Sequence, residues 1–465
     1  MKGLIKKLDL KLSDLFLFLG LVFSLPILIE RTFIPTRENP INTVIPLWLI
    51  IVSFVLVIGC FITFVILERK NELLEKRLKV IIPLVAILLL MTISIFVQSN
   101  DITTTVIIQS DVVGNIGDKV DALTSISIQT KLICFFTIVI VFLGVYIGLF
   151  ILPKRIKSVK FIEFACFLFD IYLIVTITYS LIAEFNNYIS LFKNIFTMTD
   201  LTMIDEYAPK SFLGHRNVFG TFLMFGVFSV ILSQQIHKRS VNTLLGIIFF
   251  IFLLTTIYKG GIFFTLLCLI IYLIYRSIVH LKVNKKNGII NLVTIGSILL
   301  ITLLIILISY LSIDSIHQKI DTLFKEGNTL KSRFNIWKTT FIILQPAWWL
   351  IGRGTWIFNC ILRNCNIAAQ GDYTGATHNM VLNLLALGGL PLLIGFIILY
   401  IYAIKKVLKI YNKNKNIVSS SLLILLAFTL SGTIEANWYL PFITLIGLLI
   451  ISNCEDLQST IANNN

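Results

Sequence analysis

Charged residues are scarce in this sequence. Only 14% of its 465 residues are charged, whereas 57% are hydrophobic and the mean hydropathy is +0.92. A water-facing surface needs more charge than this, so a soluble globular fold is excluded. The apolar residues fall into stretches of about 17 to 25, each long enough to cross a roughly 30 Å hydrocarbon core. We therefore predict a single polytopic membrane domain over residues 1–465.

The expected fold class is an all-α integral membrane protein, because no closed barrel is signalled and a backbone in lipid must satisfy its own hydrogen bonds. The first apolar stretch is followed by Glu30, Arg31 and Pro40 rather than by a cleavage site, so it is expected to be retained. About twelve transmembrane helices are predicted. They cover 13–29, 44–67, 80–97, 132–152, 161–183, 217–235, 241–258, 261–280, 289–311, 379–404, 418–433 and 440–453.

Lys and Arg collect in every second loop, which under the positive-inside rule marks the cytoplasmic side and places both termini there. The predicted inner side holds 24 Lys and Arg against 9 Asp and Glu, and the outer side holds 15 of each. The net charge of +15 therefore reports membrane topology, and a nucleic-acid partner is not expected. The basic clusters are Lys2–Lys11, Arg69–Lys79, Lys154–Lys160, Lys238–Arg239, Arg276–Lys286 and Lys405–Lys415.

The predicted outer loops are long, at 98–130, 184–216 and above all 312–378, which lies between helices 9 and 10. The inner loops are short, so the activity is expected at the outer face. The loop 312–378 is expected to carry part of the active site.

Motifs for metal binding are missing from the sequence. We find no metal-ligand spacing, phosphate-cradling glycine loop, zinc-protease helix or serine elbow. A reaction that uses neither metal nor cofactor is therefore expected. Of the seven cysteines, Cys360 and Cys365 share an outer loop, where an oxidising compartment would permit a disulfide that the spacing alone does not decide.

Four cations are predicted at the outer membrane interface: Arg216, Lys259, Arg333 and Arg353. A lipid-linked diphosphate keeps its tail in the bilayer and its phosphates at this depth, where ammonium and guanidinium groups would bind them. The alternative is that each side chain merely reaches toward lipid headgroups.

The loop before the tenth span contains two further candidates. Arg333, Trp337, Phe341 and Leu344 recur at helical spacing and Pro346 ends the pattern, which is typical of an interfacial helix. His378 then precedes the span at a helix entrance. Histidine can accept a proton near neutral pH and so serve as a general base, although a capping role is the alternative.

Short motifs in the second half of the chain give a family resemblance. They are Gly214-His215-Arg216-Asn217, Ser332-Arg333-Phe334-Asn335-Ile336-Trp337, Gly352-Arg353-Gly354, Thr377-His378-Asn379 and Leu387-Gly388-Gly389-Leu390. Together with the span order and the long loop, they make most of residues 161–440 resemble the O-antigen ligase and polymerase superfamily.

The resemblance implies a GT-C-like, metal-independent glycosyltransferase of the bacterial plasma (inner) membrane. Such an enzyme transfers a glycan from undecaprenyl diphosphate to an acceptor hydroxyl. His378 matches the histidine proposed as base, with Asn379 beside it, and Arg333 matches the loop arginine. His215, Arg216, Lys259 and Arg353 are implied to bind substrate. At Lys259 many members carry arginine after Ser or Thr; here lysine follows Tyr258, which keeps the charge and lacks the bidentate fork.

Several functions remain open at this point, including a relative that glycosylates a Ser or Thr of a protein and a nonenzymatic sensor or scaffold. A ligase moves a finished glycan to lipid A core, and the sequence slightly favours this reading. A polymerase moves a growing O-antigen or capsule chain onto another lipid-linked repeat. A transporter or flippase would need several charges within the spans. Asp170, in the fifth predicted span, is the one such charge that the sequence analysis singles out.

Overall fold

The computed structural model of the protein describes residues 11–28, 47–68, 73–109, 113–197, 207–213, 215–236, 240–283, 285–312, 328–370, 377–411, 414–433 and 439–454. About 84% of these described residues are helical. The helices of the first half are α1 (Leu12–Leu28), α2 (Leu47–Leu67), α3 (Leu73–Val97), α4 (Ile128–Val145), α5 (Leu152–Arg155), α6 (Val159–Ala183) and α7 (Phe185–Thr197). Those of the second half are α8 (Arg216–Ile236), α9 (Ser240–Thr255), α10 (Lys259–Val283), α11 (Lys285–Ser312), α12 (Asn328–Ile351), α13 (Thr355–Gln370), α14 (Met380–Lys409), α15 (Lys415–Gly432) and α16 (Tyr439–Asn453).

The predicted class of helical membrane protein is confirmed. Seven of the described helices are long and apolar enough to cross a membrane, and five shorter apolar helices accompany them. Each of the twelve predicted spans coincides with one of these helices. Because five are shorter than a full span in the described residues, the count of twelve stays a prediction.

The loop 98–130 contains a β-hairpin that the sequence analysis did not predict. Strands β1 (Asp101–Ile107) and β2 (Lys119–Ser125) pair antiparallel, with Thr104 opposite Ala122. The buried face of the hairpin packs against α13, whose Asn364 side chain donates to the carbonyl of Leu123 at 3.1 Å. The apolar face of the amphipathic helix α13 is thus covered by the hairpin, and both lie in loops that the sequence predicts to be on the outer side.

A buried charge cluster ties together α1, α5 and the residue that follows α2. Arg155 donates from Nε to Asp14 at 2.6 Å and from Nη2 to Glu68 at 2.5 Å, and Ser13 also donates to Glu68. Carboxylates buried here would be costly without the guanidinium. The cluster therefore fixes the ends of these segments.

The chain divides into two compact units. The first comprises residues 1–163, 333–418 and 432–465, and the second comprises 164–332 and 419–431. The single membrane domain inferred from the sequence stays a prediction, and each unit is described by itself below.

Candidate functional site

The expected site residues are distributed over both units. Arg333, Arg353, His378 and Asn379 belong to the first unit. His215, Arg216 and Lys259 belong to the second.

His378 has an unusual backbone conformation. Its φ of 49° lies in the left-handed region, which few residues other than glycine adopt. The neighbours hold it there: Asn379 Oδ1 accepts the amides of Val381 at 2.9 Å and Leu382 at 3.1 Å and so caps α14. The Thr377 hydroxyl donates to the carbonyl of Asn379 at 3.0 Å. The half-buried imidazole is thus carried on a backbone fixed from both sides.

Helix α12 is joined to this turn through Trp337. The indole Nε1 donates to the carbonyl of Thr377 at 2.9 Å, one residue before His378. Arg333 lies one helical turn earlier on the same face, about 6 Å along the axis. The first unit therefore brings the arginine motif and the histidine motif of the family resemblance into one neighbourhood.

The buried face of α12 overlaps only in part with the stripe predicted from the sequence, which included Phe341 and Leu344. Ile336, Thr339, Thr340, Ile343 and Leu344 are buried, whereas Phe341 is 47% exposed. The threonines can be buried because each hydroxyl donates to a carbonyl one turn earlier, at 3.0 and 2.8 Å. Counting only large apolar residues missed them.

The pattern was expected to stop at Pro346, and the helix does change direction there. Gln345, with φ 15° and ψ 152°, is non-helical. A proline disfavours helical geometry in the residue before it, which accounts for the position of the kink.

Arg353 is buried at 6% exposure and makes contacts within the first unit. Its Nε donates to the carbonyl of Ile343 at 3.0 Å, Nη1 donates to Gln98 at 3.3 Å, and the guanidinium lies 4.3 Å above the ring of Trp348. Burial lowers the pKa of Arg353 to about 10. These contacts are structural, and a role in substrate binding stays a prediction.

Gln98 is a residue that the sequence analysis missed. Its side-chain nitrogen donates to the backbone carbonyl of Arg353 at 2.8 Å. The backbone carbonyl of Gln98 accepts a hydrogen bond from the buried Lys131 ammonium at 2.6 Å. A lone glutamine at the end of an apolar span was the available signal, but nothing in the sequence joins it to a residue 255 positions away.

Two glycine motifs of the resemblance meet at a backbone crossing. Gly352 and Gly389 both have φ of 68°, and α14 is broken at Gly388 and Gly389. A Cβ on Gly389 would lie 2.6 Å from the carbonyl of Leu350, and one on Gly352 would lie 2.7 Å from the nitrogen of Gly388. The Arg353 amide donates to the Ala386 carbonyl at 2.8 Å. The crossing thus sets the position of α14 relative to the Arg353 turn.

Cys360 and Cys365 are both free thiols on α13. Residues five apart on one helix point in different directions and cannot reach disulfide geometry. Burial raises the pKa of Cys360 to about 11 and that of Cys365 to about 12. The thiols are therefore protonated and act as small apolar side chains.

In the second unit, Glu184 fixes the segment that leads to His215 and Arg216. Its carboxylate accepts the amides of Lys210 at 3.0 Å and Ser211 at 2.8 Å. His215 then opens α8, because its Nδ1 accepts the amide of Asn217 at 3.1 Å. Glu184, too, was missed by the sequence analysis.

Lys259 is the first residue of α10, and Tyr258 anchors it. The buried tyrosine ring fills the space in which a Cβ of Gly261 would lie, and its hydroxyl is 3.0 Å from the Ser431 hydroxyl. The same residue packs on Gly220, one turn after Arg216. The glycine therefore admits the tyrosine, and the starts of α8 and α10 adjoin.

Three strained backbone positions lie at or shortly before candidate residues. Among the described residues, three residues other than glycine have clearly positive φ: Ser211, Ile257 and His378. The first lies four residues before His215, and the second lies two residues before Lys259. Such conformations cost about 1–3 kcal/mol each and cluster at functional sites. Of the three strained residues, His378 is itself a candidate, and Ser211 and Ile257 lie a few residues before His215 and Lys259.

Comparison with protein families gives a match to part of the chain. The family model described as O-antigen ligase matches residues 243–397, which include Lys259, Arg333, Arg353, His378 and Asn379. No match was found among curated proteins or among solved structures. Residues 243–397, about a third of the chain, are thus similar to the O-antigen ligase family.

Proposed function

We propose that this protein transfers a glycan from undecaprenyl diphosphate to an acceptor hydroxyl at the outer face of the bacterial plasma membrane. The observation that carries the proposal is the conformation of His378. A strained histidine, held between a helix cap and a hydrogen bond from the arginine-bearing helix, is costly for a residue whose only task is to begin a helix.

His378 is proposed as the general base. The acceptor oxygen attacks the anomeric carbon, the bond from that carbon to the diphosphate oxygen breaks, and the acceptor proton passes to the imidazole. Undecaprenyl diphosphate leaves with the bonding electron pair, and the imidazolium later returns the proton to water. A positioned base of this kind contributes about 10² to 10⁴ in rate.

Asn379 is proposed to position His378 by fixing the backbone of the turn that carries it. Its side chain already caps α14 and donates to the Thr433 carbonyl at 3.1 Å. It therefore holds the turn that carries the base.

The leaving diphosphate needs positive charge. In the first unit, Arg333 is the proposed donor of charge-assisted hydrogen bonds. In the second unit, Arg216 and Lys259 begin two adjoining helices, whose positive dipole ends add to their own charges. His215 is proposed to bind substrate beside them. The proposed reaction uses no metal because these groups provide the charge.

A ligase reaction is the first choice, because the matching family model is described as O-antigen ligase. A polymerase would use the same chemistry and differ in its acceptor, a second lipid-linked repeat instead of lipid A core or another final acceptor.

Deleting the gene in its host and analysing surface glycan by gel tests the proposal. We expect full-length glycan on undecaprenyl diphosphate, absent from its final acceptor. Single repeats without polymer would instead identify a polymerase. Arg333→Ala at matched membrane level should fail to restore the glycan, since loss of a transition-state contact costs about 10²-fold or more.

Lys338→Ala is the matched control, because this exposed cation lies on the same helix as Arg333. It should restore the glycan fully. Unchanged glycan in the deletion strain, or full rescue by Arg333→Ala, would contradict the proposal.

A further inference from the structure

An open cavity of about 820 Å³ lies within the second unit, at the end opposite Arg216 and Lys259. It is bounded by the last turns of α8 and α10 and the first turns of α9 and α11. The positive-inside pattern predicts that this end faces the cytoplasm. None of the proposed catalytic residues line this cavity, which we call the inner-end cavity.

The lining of the inner-end cavity changes character along its depth. Gln234, Gln235 and Arg276 lie at its polar end, whereas Val227 and Leu269 lie deeper. Leu269 and Arg276 are seven residues apart on α10, which corresponds to about 10 Å. A ligand that fits this gradient has a polar group near Arg276 and an apolar tail in the deep part.

The cavity also opens sideways onto the apolar surface of the helices. Ile247 and Leu273 line it and are 53% and 49% exposed. Both lie on helices predicted to cross the bilayer, so a hydrocarbon chain can enter from the side. The volume of the inner-end cavity is in the usual range of about 300–1,000 Å³ for a small-molecule site.

The charge of the polar end favours an anion. Arg276 donates from Nη1 to Gln235 at 3.2 Å and to Tyr272 at 3.3 Å, which holds the guanidinium at the rim. Among the described residues that line the cavity there is no Asp or Glu. Basic pockets between transmembrane helices on the cytoplasmic side suit anionic lipid headgroups.

We propose that the inner-end cavity binds an anionic phospholipid of the cytoplasmic leaflet, with its phosphate at Arg276 and one acyl chain along Val227 and Leu269. A polyprenyl tail of the glycan donor would fill the deep part equally well. It would leave the polar end without a partner, because a tail has no polar group at that depth.

Native mass spectrometry of the purified full chain tests the proposal. The probes are phosphatidylglycerol and phosphatidylcholine with identical palmitoyl and oleoyl chains. We expect wild-type protein to retain one phosphatidylglycerol in preference to phosphatidylcholine. Arg276→Gln should lower that preference roughly fivefold, as one basic contact is worth about 1 kcal/mol.

Matched variants separate the headgroup contact from general charge and from folding. Arg276→Lys keeps the charge and should keep the preference. Lys285→Gln removes an exposed cation at the same end of the unit but outside the cavity, so the preference for phosphatidylglycerol should not change. Thr243→Trp should weaken binding of both lipids by filling the cavity, and Leu244→Trp, on the neighbouring exposed position outside it, should not.

Equal retention of both lipids by wild-type protein would overturn the proposal, as would an unchanged preference in Arg276→Gln. Displacement of phosphatidylglycerol by undecaprenyl phosphate to the same extent in wild type and Arg276→Gln would also overturn it. That outcome would assign the cavity to the polyprenyl tail. The experiment uses no glycan donor, so its result is independent of the proposed transfer reaction.

Discussion

Replacing His378 with asparagine is expected to lower glycan transfer by about 10²-fold or more while leaving the fold intact, because the base is lost and the backbone conformation is kept. Asparagine tolerates left-handed φ better than most residues, so it suits the 49° that this position requires. Alanine at the same position should give the same loss of transfer. Transfer is measured in membranes that contain equal amounts of each variant.

The matched control is His280→Ala, which removes a histidine from the last turns of α10, at the other end of that helix from Lys259. It should transfer at the wild-type rate. Transfer by His378→Asn within about threefold of wild type would show that the imidazole takes no proton in the rate-limiting step, and His378 would then be a structural residue.

Replacing Gly389 with alanine is expected to destabilise the protein by about 3 kcal/mol or more. The added Cβ would lie 2.6 Å from the carbonyl carbon and oxygen of Leu350, which are backbone atoms that cannot turn away. The φ of 68° adds about 1–2 kcal/mol of strain for any residue with a Cβ. Overpacking contributes about 1–3 kcal/mol in addition.

The measurement is the fraction of monodisperse protein left after heating in detergent. Gly395→Ala is the control on the same helix, because a Cβ there has no atom within 4 Å. Its stability should be unchanged or raised by up to about 1 kcal/mol, as alanine favours helix over glycine. Equal behaviour of the two variants would contradict the tight crossing of the Gly352 and Gly389 turns.

The membrane helices were predictable from the sequence because hydropathy is a local property. Each predicted span meets an apolar helix, and the tenth begins within one residue of Met380. The kink at Gln345 was predictable from Pro346 because a proline restricts the backbone of the residue directly before it. The hairpin at 101–125 was missed although Ile102, Thr104 and Val106 alternate with polar residues, a pattern that predicts a strand.

The tertiary contacts around the candidate site were not predictable in this way. Gln98 and Arg353 are 255 positions apart in the sequence and form a hydrogen bond. Gly352 lies against the backbone of Gly388 only because the chain turns at both places. The motifs indicated which residues matter but not why. Gly261, for example, leaves room for the ring of Tyr258, which its position in the sequence does not indicate.

The strained backbone conformations were the feature least predictable from the sequence. Ile257 is β-branched and has a φ of 50°, a conformation that no local propensity favours. It is held in place by the packing of the next residue, Tyr258, on Gly220. Such positions violate local rules, and that violation is what draws attention to the adjoining Lys259.

The most direct measurement is the release of undecaprenyl diphosphate by the purified protein in vesicles that contain the lipid-linked glycan, with and without an acceptor. The proposed reaction predicts release only when the acceptor is present, in a one-to-one ratio with transferred glycan. Intact donor moved across the bilayer without release of undecaprenyl diphosphate would contradict it and would identify a transporter instead.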